Sequence, residues 1–132
     1  MTIGRQLAAV MIGGLIGTSL RLGIDALLPH RDDAFPLSTL IINTLGAFVL
    51  GALVSRLWPV APVWLRVGLG PGLMGSFTTF SAVAVGLVGL SVANQWMTAL
   101  AYLGLTLVLG FGAAGLGLAL AKPAPHVPEY EE

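Results

Sequence analysis

The stretch GLGPGLMGSFTTFS, Gly68–Ser81, combines residues that oppose a continuous helix with residues that can repair one. Pro71 lacks an amide hydrogen, and the glycines on both sides of it weaken the helix further. Four hydroxyl residues within six positions can satisfy backbone groups that a break leaves free: Ser76, Thr78, Thr79 and Ser81. Such a stretch is either a Gly/Pro kink bridged by hydroxyls or a break whose unwound carbonyls coordinate a cation, and the density of hydroxyls favours the second.

The chain around this stretch is that of a membrane protein. Its 132 residues are 56% hydrophobic and 9% charged, against about 25% charged in soluble domains, and the mean hydropathy is +0.92. We predict an all-α membrane protein with four transmembrane helices, the third of them broken near its middle. The apolar segments predict spans at about 4–28, 37–57, 64–92 and 97–121. They form one transmembrane domain, 1–121, followed by a disordered tail, 122–132.

Several classes of function are unsupported by the composition. Net charge is zero and no basic stripe for nucleic acid occurs. Cysteine is absent, and the sequence contains no metal-ligand cluster, nucleophile–base pair or glycine-rich phosphate loop, so we expect no enzyme. The first twenty residues are not a signal peptide, because no small-residue cleavage site follows and three more apolar segments do. We expect a multi-pass protein surrounded by lipid in a bacterial-type inner membrane.

The basic residues favour one orientation only weakly. An odd number of crossings separates two of them, Arg21 and Arg31, from the other four, Arg5, Arg56, Arg66 and Lys122. The excess places the termini in the cytoplasm. Because the bias is small, insertion in both orientations stays open.

Two ionisable side chains interrupt the first predicted span. Arg21 lies a turn or two inside its end, and Asp25 follows one turn later. A buried arginine in a membrane is costly and suggests function. Snorkelling to the headgroups, with Asp25 as an i, i+4 partner, explains the same pattern, and both interpretations stay open. Asp25 is the only acid near a span, so a proton relay in the membrane lacks a convincing carrier.

Polar stripes mark two further helices. Thr39 and Asn43 share a face of the second span, and Tyr102 and Thr106 repeat the i, i+4 spacing in the fourth. The Asn43 amide can hydrogen-bond a neighbouring helix, or it can donate to an anion in a wet cavity. Two such stripes are what a narrow aqueous path requires. Four helices enclose little space, so a path of this kind needs a second subunit.

Phe80 directly follows the predicted break, and Ser81 comes next. The edge of an aromatic ring carries partial positive charge, so a ring held edge-on favours an anion. A phenylalanine in a membrane helix otherwise serves packing, and its neighbours decide between the two roles.

Three segments together resemble the Fluc (CrcB) family of fluoride channels. They are GGLIGTSLR at Gly13–Arg21, STLIINTLGAFVLG at Ser38–Gly51 and GLMGSFTTFS at Gly72–Ser81. With the similar spacing of the four spans, the resemblance covers about residues 5 to 120. The asparagine segment and the TTFS segment are specific in combination, whereas either alone is a weak signal.

The resemblance implies an antiparallel, dual-topology dimer of this chain with itself or with a homologous subunit, and passive fluoride efflux that relieves fluoride toxicity. It implies that Asn43 and Phe80 line a fluoride pathway, to which we also assign Ser81. Polar residues of the same pathway would be Thr39, Tyr102 and Thr106, and Arg21 would lie near its entrance. The resemblance further implies a structural sodium ion at the dimer centre, held by the backbone carbonyls of Gly75 and Thr78.

Three positions depart from the family pattern. Val83 replaces a second phenylalanine, Gly86 replaces a frequent glutamate, and Gly110 replaces a hydroxyl one turn after Thr106. They leave open which pathways conduct and whether the chain works alone. Two other functions therefore remain as alternatives: a four-span, proton-coupled small multidrug-type exporter, and a non-conducting partner subunit of a heterodimeric channel.

Overall fold

A computed structural model describes residues 3–120, which form helices joined by short turns and include no β-strand. Four helical segments are long and apolar enough to cross a membrane: α1 (Ile3–Leu27), α2 (Leu37–Arg56), a third span (Val63–Val92) and a fourth (Trp96–Leu120). The predicted all-α membrane fold is confirmed. The ends differ from the predicted bounds by one residue at most, and the predicted tail, 122–132, lies outside the described residues.

The third span is a series of short pieces, as the Gly/Pro stretch predicts. It consists of α3 (Val63–Val67), a π-helical segment (Gly68–Met74), α4 (Gly75–Phe77), an extended pair of threonines, and α5 (Phe80–Val92); the fourth span is α6. Pro71 lies inside the π-helical segment, where Gly75 N–H reaches back to the Gly70 carbonyl. The wider turn gives the proline ring the room that an α-helix lacks.

The break itself is two residues long. Thr78 (φ −78°, ψ 153°) and Thr79 (φ −149°, ψ 116°) are both extended. The helix restarts because the Thr79 hydroxyl accepts a hydrogen bond from Ala82 N at 3.2 Å, which is an N-cap. The axis bends by 12° across the third span, so the break opens the backbone while leaving the segment able to cross the membrane.

Glycines let the helices approach closely. A Cβ at Gly13 would collide with the Gly68 carbonyl, and one at Gly17 would collide with the Leu73 carbonyl, so α1 rests directly on the third span. Gly51 and Gly117 play the same role between α2 and α6. Close contact of backbones through small residues is the usual way in which membrane helices associate.

Two apolar clusters lie on either side of the break. Met74 and Phe77, before it, pack with Ile42 of α2. After it, α5 packs against α2 and α6 through a cluster of five buried residues: Leu40, Val83, Leu90, Ala99 and Tyr102. The two halves of the third span are therefore anchored separately, and the break is the joint between them.

Side-chain contacts show which loops share an end of the bundle. At one end, the Arg5 guanidinium lies 4.4 Å from the centre of the Trp64 ring. At the other, Gln95 Nε2 donates to the Asp33 carbonyl at 2.7 Å, which ties the α5–α6 turn to the α1–α2 loop. This is the alternation that four successive crossings require.

The glycine contacts generate a stability prediction. We expect Gly17→Ala to lower the free energy of unfolding by about 1–3 kcal/mol, because the new methyl group overpacks the contact with Leu73. Gly23→Ala is the matched control in the same helix, since nothing lies within 4 Å of its Cβ position. Thermal denaturation of the purified protein in detergent measures the difference. Equal melting temperatures for the two variants would contradict the close packing of α1 on the third span.

Candidate functional site

Asn43 of α2 joins the break directly. Its Nδ2 donates to the Thr79 carbonyl at 2.9 Å, and its Oδ1 accepts from Thr79 N at 2.8 Å. One side chain thus satisfies both backbone groups of the residue at which the helix is interrupted. Of the two interpretations of Asn43 left open by the sequence, the contact with a neighbouring helix is present, and it uses one of the two amide N–H groups.

The same contacts take the usual α-helical hydrogen-bond donors away from two backbone carbonyls. In an unbroken α-helix the Gly75 carbonyl would receive Thr79 N–H, and the Thr78 carbonyl would receive Ala82 N–H. Here Thr79 N–H goes to Asn43 and Ala82 N–H goes to the Thr79 hydroxyl. The two carbonyls predicted to bind a cation are therefore among those whose helical donors are diverted at the break.

Phe80 and Ser81 lie on the outer face of the break. The Phe80 side chain is 84% exposed, and Ser81 is also exposed. The Ser81 hydroxyl lies 3.0 Å from that of Thr79. Pro71 and Gly75 are exposed as well. An aromatic ring and an interrupted backbone are thus presented outward at the depth of the membrane.

A cleft of about 780 Å³ opens between the end of α1, the start of α2 and α5. Three of the predicted site residues line it, namely Arg21, Thr39 and Ser81, together with Thr79 and Asp25. Arg21 is half-buried at this cleft, and among the described residues no ion pair joins it to Asp25. The structure thus places Arg21 and Ser81 on one water-accessible surface and gives no support to the i, i+4 pairing.

The second polar stripe is buried beside the first. Tyr102 is fully buried, with the hydroxyls of Thr39 and Thr106 as its neighbours. Within the described part of the chain, the buried oxygens of Tyr102 and Thr106 have no hydrogen-bond partner, and neither has that of Ser38. Buried polar atoms of folded proteins are normally partnered. Thr39 connects the two regions, because it also lines the cleft.

At two of the three positions that depart from the family pattern, neighbouring side chains occupy the space that the usual larger residue would need. Val83 is 2% exposed and belongs to the cluster around Tyr102, so a phenylalanine there would have to displace its neighbours. A Cβ at Gly86 would come within 2.6 Å of the Pro36 ring and 3.3 Å of the Tyr102 ring. A glutamate at this position therefore requires the start of α2 to move. Gly110 faces open space.

Thr79 is a residue that the sequence analysis named only among the hydroxyls of the break and did not assign to the site. Its backbone binds Asn43, its hydroxyl caps α5, and it lines the cleft. A threonine directly before an apolar helical run is an N-cap signal that could have identified it. The contact with Asn43 has no such signal, since the two residues lie 36 positions apart.

Comparison with known proteins identifies the family to which the chain belongs. The profile of the family described as "CrcB-like protein, Camphor Resistance (CrcB)" matches residues 8–118. The chain belongs to the CrcB family. "Fluoride-specific ion channel FluC 1" of Listeria monocytogenes serotype 4b (strain F2365) is 41% identical to it over 112 residues, which are 84% of this chain and 92% of the relative.

Other CrcB relatives show the same extent of similarity. "Fluoride-specific ion channel FluC" of Renibacterium salmoninarum is 36% identical over 121 residues, 85% of this chain and 95% of the relative. "Fluoride-specific ion channel FluC 2" of Halalkalibacterium halodurans is 39% identical over 119 residues, which are 89% of this chain and 87% of the relative. With its four spanning helices, this CrcB protein is a multi-pass membrane protein.

Removal of the Tyr102 hydroxyl and removal of the Thr79 hydroxyl should have different effects on the stability of the protein. We expect Tyr102→Phe to leave the melting temperature unchanged or higher, because it removes a buried polar atom without a partner. We expect Thr79→Val to cost about 1 kcal/mol of stability through loss of the N-cap. If Tyr102→Phe destabilised the protein as much, the hydroxyl would be bonded within the chain.

Proposed function

We propose that the chain is a subunit of a fluoride-selective ion channel in the plasma membrane, the inner membrane of the cell. Fluoride leaves through it passively, which relieves fluoride toxicity. The observation that carries the proposal is the similarity to proteins named fluoride-specific ion channels over most of both chains. The geometry supports it, because the site offers neutral hydrogen-bond donors and no charge at the break.

The fluoride pathway begins at the cleft. Arg21 at its mouth attracts anions, and Thr39, Thr79 and Ser81 offer hydroxyls along its wall. From there fluoride passes Asn43 and Phe80, and the hydroxyls of Tyr102 and Thr106 continue the polar track. Fluoride is small and strongly hydrated, so amide and hydroxyl donors must replace its water at every step. Phe80 contributes the positive edge of its ring.

A second subunit completes the pathway. Phe80, Pro71 and Gly75 are exposed on one chain, and interrupted backbone at membrane depth must be covered by protein or face water. A second copy of this chain, or a homologous subunit, covers this face in an antiparallel dimer. Dual topology fits the weak bias of the basic residues. In such a dimer each break faces its counterpart, and the rest of the surface contacts lipid.

A sodium ion at the dimer centre joins the two breaks. The carbonyls of Gly75 and Thr78 from each subunit would hold it, and four neutral oxygens suit a small monovalent cation. The support is the diversion of their helical donors to Asn43 and to the Thr79 hydroxyl. The ion would supply a fixed positive charge that holds the subunits together.

The alternatives have less support. A proton-coupled exporter needs an acid in the membrane, and the four described spans contain only Asp25, near the end of α1. A non-conducting partner subunit has one supporting observation, namely that Val83 places an aliphatic side chain where the family pattern has a second phenylalanine. In that case a homologous subunit supplies the second aromatic ring, and the chain alone conducts no fluoride.

Fluoride efflux from proteoliposomes tests the function. The purified chain should release fluoride at a rate far above that of protein-free vesicles, and should not release chloride. Phe80→Ile should slow fluoride release by a few-fold to about tenfold, because the bulk is kept while the ring edge, with interactions of about 0.5–1.5 kcal/mol, is lost. Phe111→Ile is the matched control, since Phe111 is 77% exposed in α6.

The results separate the candidate functions. No flux from the chain alone, restored by a homologous subunit, would indicate the heterodimer. Absence of fluoride flux, together with transport of a drug-like substrate driven by an imposed proton gradient, would indicate the exporter. Equal slowing by the Phe80 and Phe111 variants would remove Phe80 from the pathway.

The sodium proposal predicts a dependence on backbone rather than side chain. Replacing sodium by potassium during purification and assay should lower the melting temperature of the dimer and its fluoride flux. Thr78→Val should keep the sodium dependence, because the carbonyl remains. Thr78→Pro should abolish it, since proline removes the bond from Thr78 N to the Met74 carbonyl and forces Phe77 out of helical geometry. Identical behaviour in sodium and potassium would refute the site.

A further inference from the structure

The two hydrogen bonds between Asn43 and Thr79 form a closed pair. In extended backbone the N–H and C=O of one residue point to the same side, as they do in a β-ladder. Thr79, with φ −149° and ψ 116°, has this geometry. The planar amide of Asn43 therefore meets both groups at once, with donor against acceptor in each case, at 2.9 and 2.8 Å. A helical residue could not offer both groups to one side chain.

The two hydrogen bonds fix the orientation of the Asn43 side-chain amide. The oxygen and nitrogen of an asparagine are interchangeable in shape, and only the hydrogen-bond network assigns them. If the Asn43 amide turned over, its NH₂ would face Thr79 N–H and its oxygen would face the Thr79 carbonyl. Both contacts would then be repulsive, and both hydrogen bonds would be lost. One N–H of Nδ2 remains outside the pair and points away from Thr79.

We propose that the extended backbone of Thr79 is a positioning group that locks the Asn43 amide with an N–H, rather than a carbonyl oxygen, toward the permeating ion. This inference rests on the proposed function. A freely turning amide would offer a donor and an acceptor in turn and would suit cations as well as anions. The locked amide offers the ion only an N–H donor, which favours an anion. The break in the third helix, by holding the amide in this orientation, therefore determines that Asn43 favours anions over cations.

The lock can be observed without any transport measurement. The sequence contains two asparagines, Asn43 and Asn94, so selective ¹⁵N-asparagine labelling gives two side-chain amides in an NMR spectrum of the purified protein. We expect one Asn43 proton to be protected from solvent exchange and unmoved by fluoride, and the other to shift when sodium fluoride replaces sodium chloride. Asn94 is exposed in a turn, so both its protons should exchange rapidly. Equal exchange of the two Asn43 protons would overturn the lock, whether or not the protein transports fluoride.

Asn43→Asp separates the lock from ion recognition. At neutral pH the carboxylate still accepts from Thr79 N–H but faces the Thr79 carbonyl with a second oxygen and repels fluoride. We expect a melting temperature lower by roughly 4 °C or more and a fluoride flux lower by roughly tenfold or more. Acidification protonates the carboxylate and gives it one O–H, which restores the bond to the Thr79 carbonyl. No donor is then left for the ion.

The melting temperature of Asn43→Asp should therefore recover toward that of the unsubstituted protein at mildly acidic pH, while its fluoride flux, corrected for protein-free vesicles, stays low. Asn94→Asp carries the same chemical change at an exposed site and should alter neither quantity. Recovery of flux together with stability would show that Asn43 only holds the break, which would overturn the proposal. Stability unaffected by the substitution at every pH would do so as well. Absence of fluoride flux in the unsubstituted protein would instead count against the proposed function. The orientation of the Asn43 amide would then be decided by the solvent exchange of its two protons alone.

Discussion

A membrane offers no water to backbone groups, so each N–H and C=O of a spanning segment needs a partner in protein. The third span violates the simplest solution, the continuous helix, at Thr78 and Thr79. The closed pair between Asn43 and Thr79 makes this violation tolerable, because it satisfies both polar groups of Thr79 with one neutral side chain. The pair joins α2 to the break and takes Thr79 N–H away from the Gly75 carbonyl, while the Thr79 hydroxyl restarts α5 and takes Ala82 N–H away from the Thr78 carbonyl.

The pair also supports the proposed assembly of two chains. Each donor diverted to hold the break leaves a carbonyl of the preceding helical turn without its usual partner, and the same face carries exposed Phe80. Such a surface is costly against lipid and favourable against a second break with the same composition. In the proposed dimer, stability of the break within one chain and assembly of two chains would therefore follow from the same rearrangement of hydrogen bonds.

The fold and much of the site could be predicted from sequence because their signals are local. Apolar length predicts four spans, and proline among glycines predicts a broken helix whose winding around Pro71 widens into a π-helical segment. The stripes of Thr39 with Asn43 and of Tyr102 with Thr106 follow from i, i+4 spacing. What could not be predicted depends on contacts between helices. The partner of Asn43 lies 36 residues away, and Gly86 is small because Pro36 and Tyr102 occupy the space of its side chain. No spacing rule connects these residues.

The absence of a charged residue at the break is itself informative about the ion. A lysine or arginine there would bind a small anion tightly and release it slowly, and conduction requires that binding be weak enough for the ion to leave. Single N–H and O–H donors spaced along the route offer several moderate interactions in place of one strong one. Arg21 is the one arginine that lines the cleft, where Asp25 and Asp32 lie on the same lining, so the cleft is not a strongly cationic site that would hold an anion. In the proposed pathway, neutral donors with fixed orientation, rather than charged side chains, would then decide which ion passes.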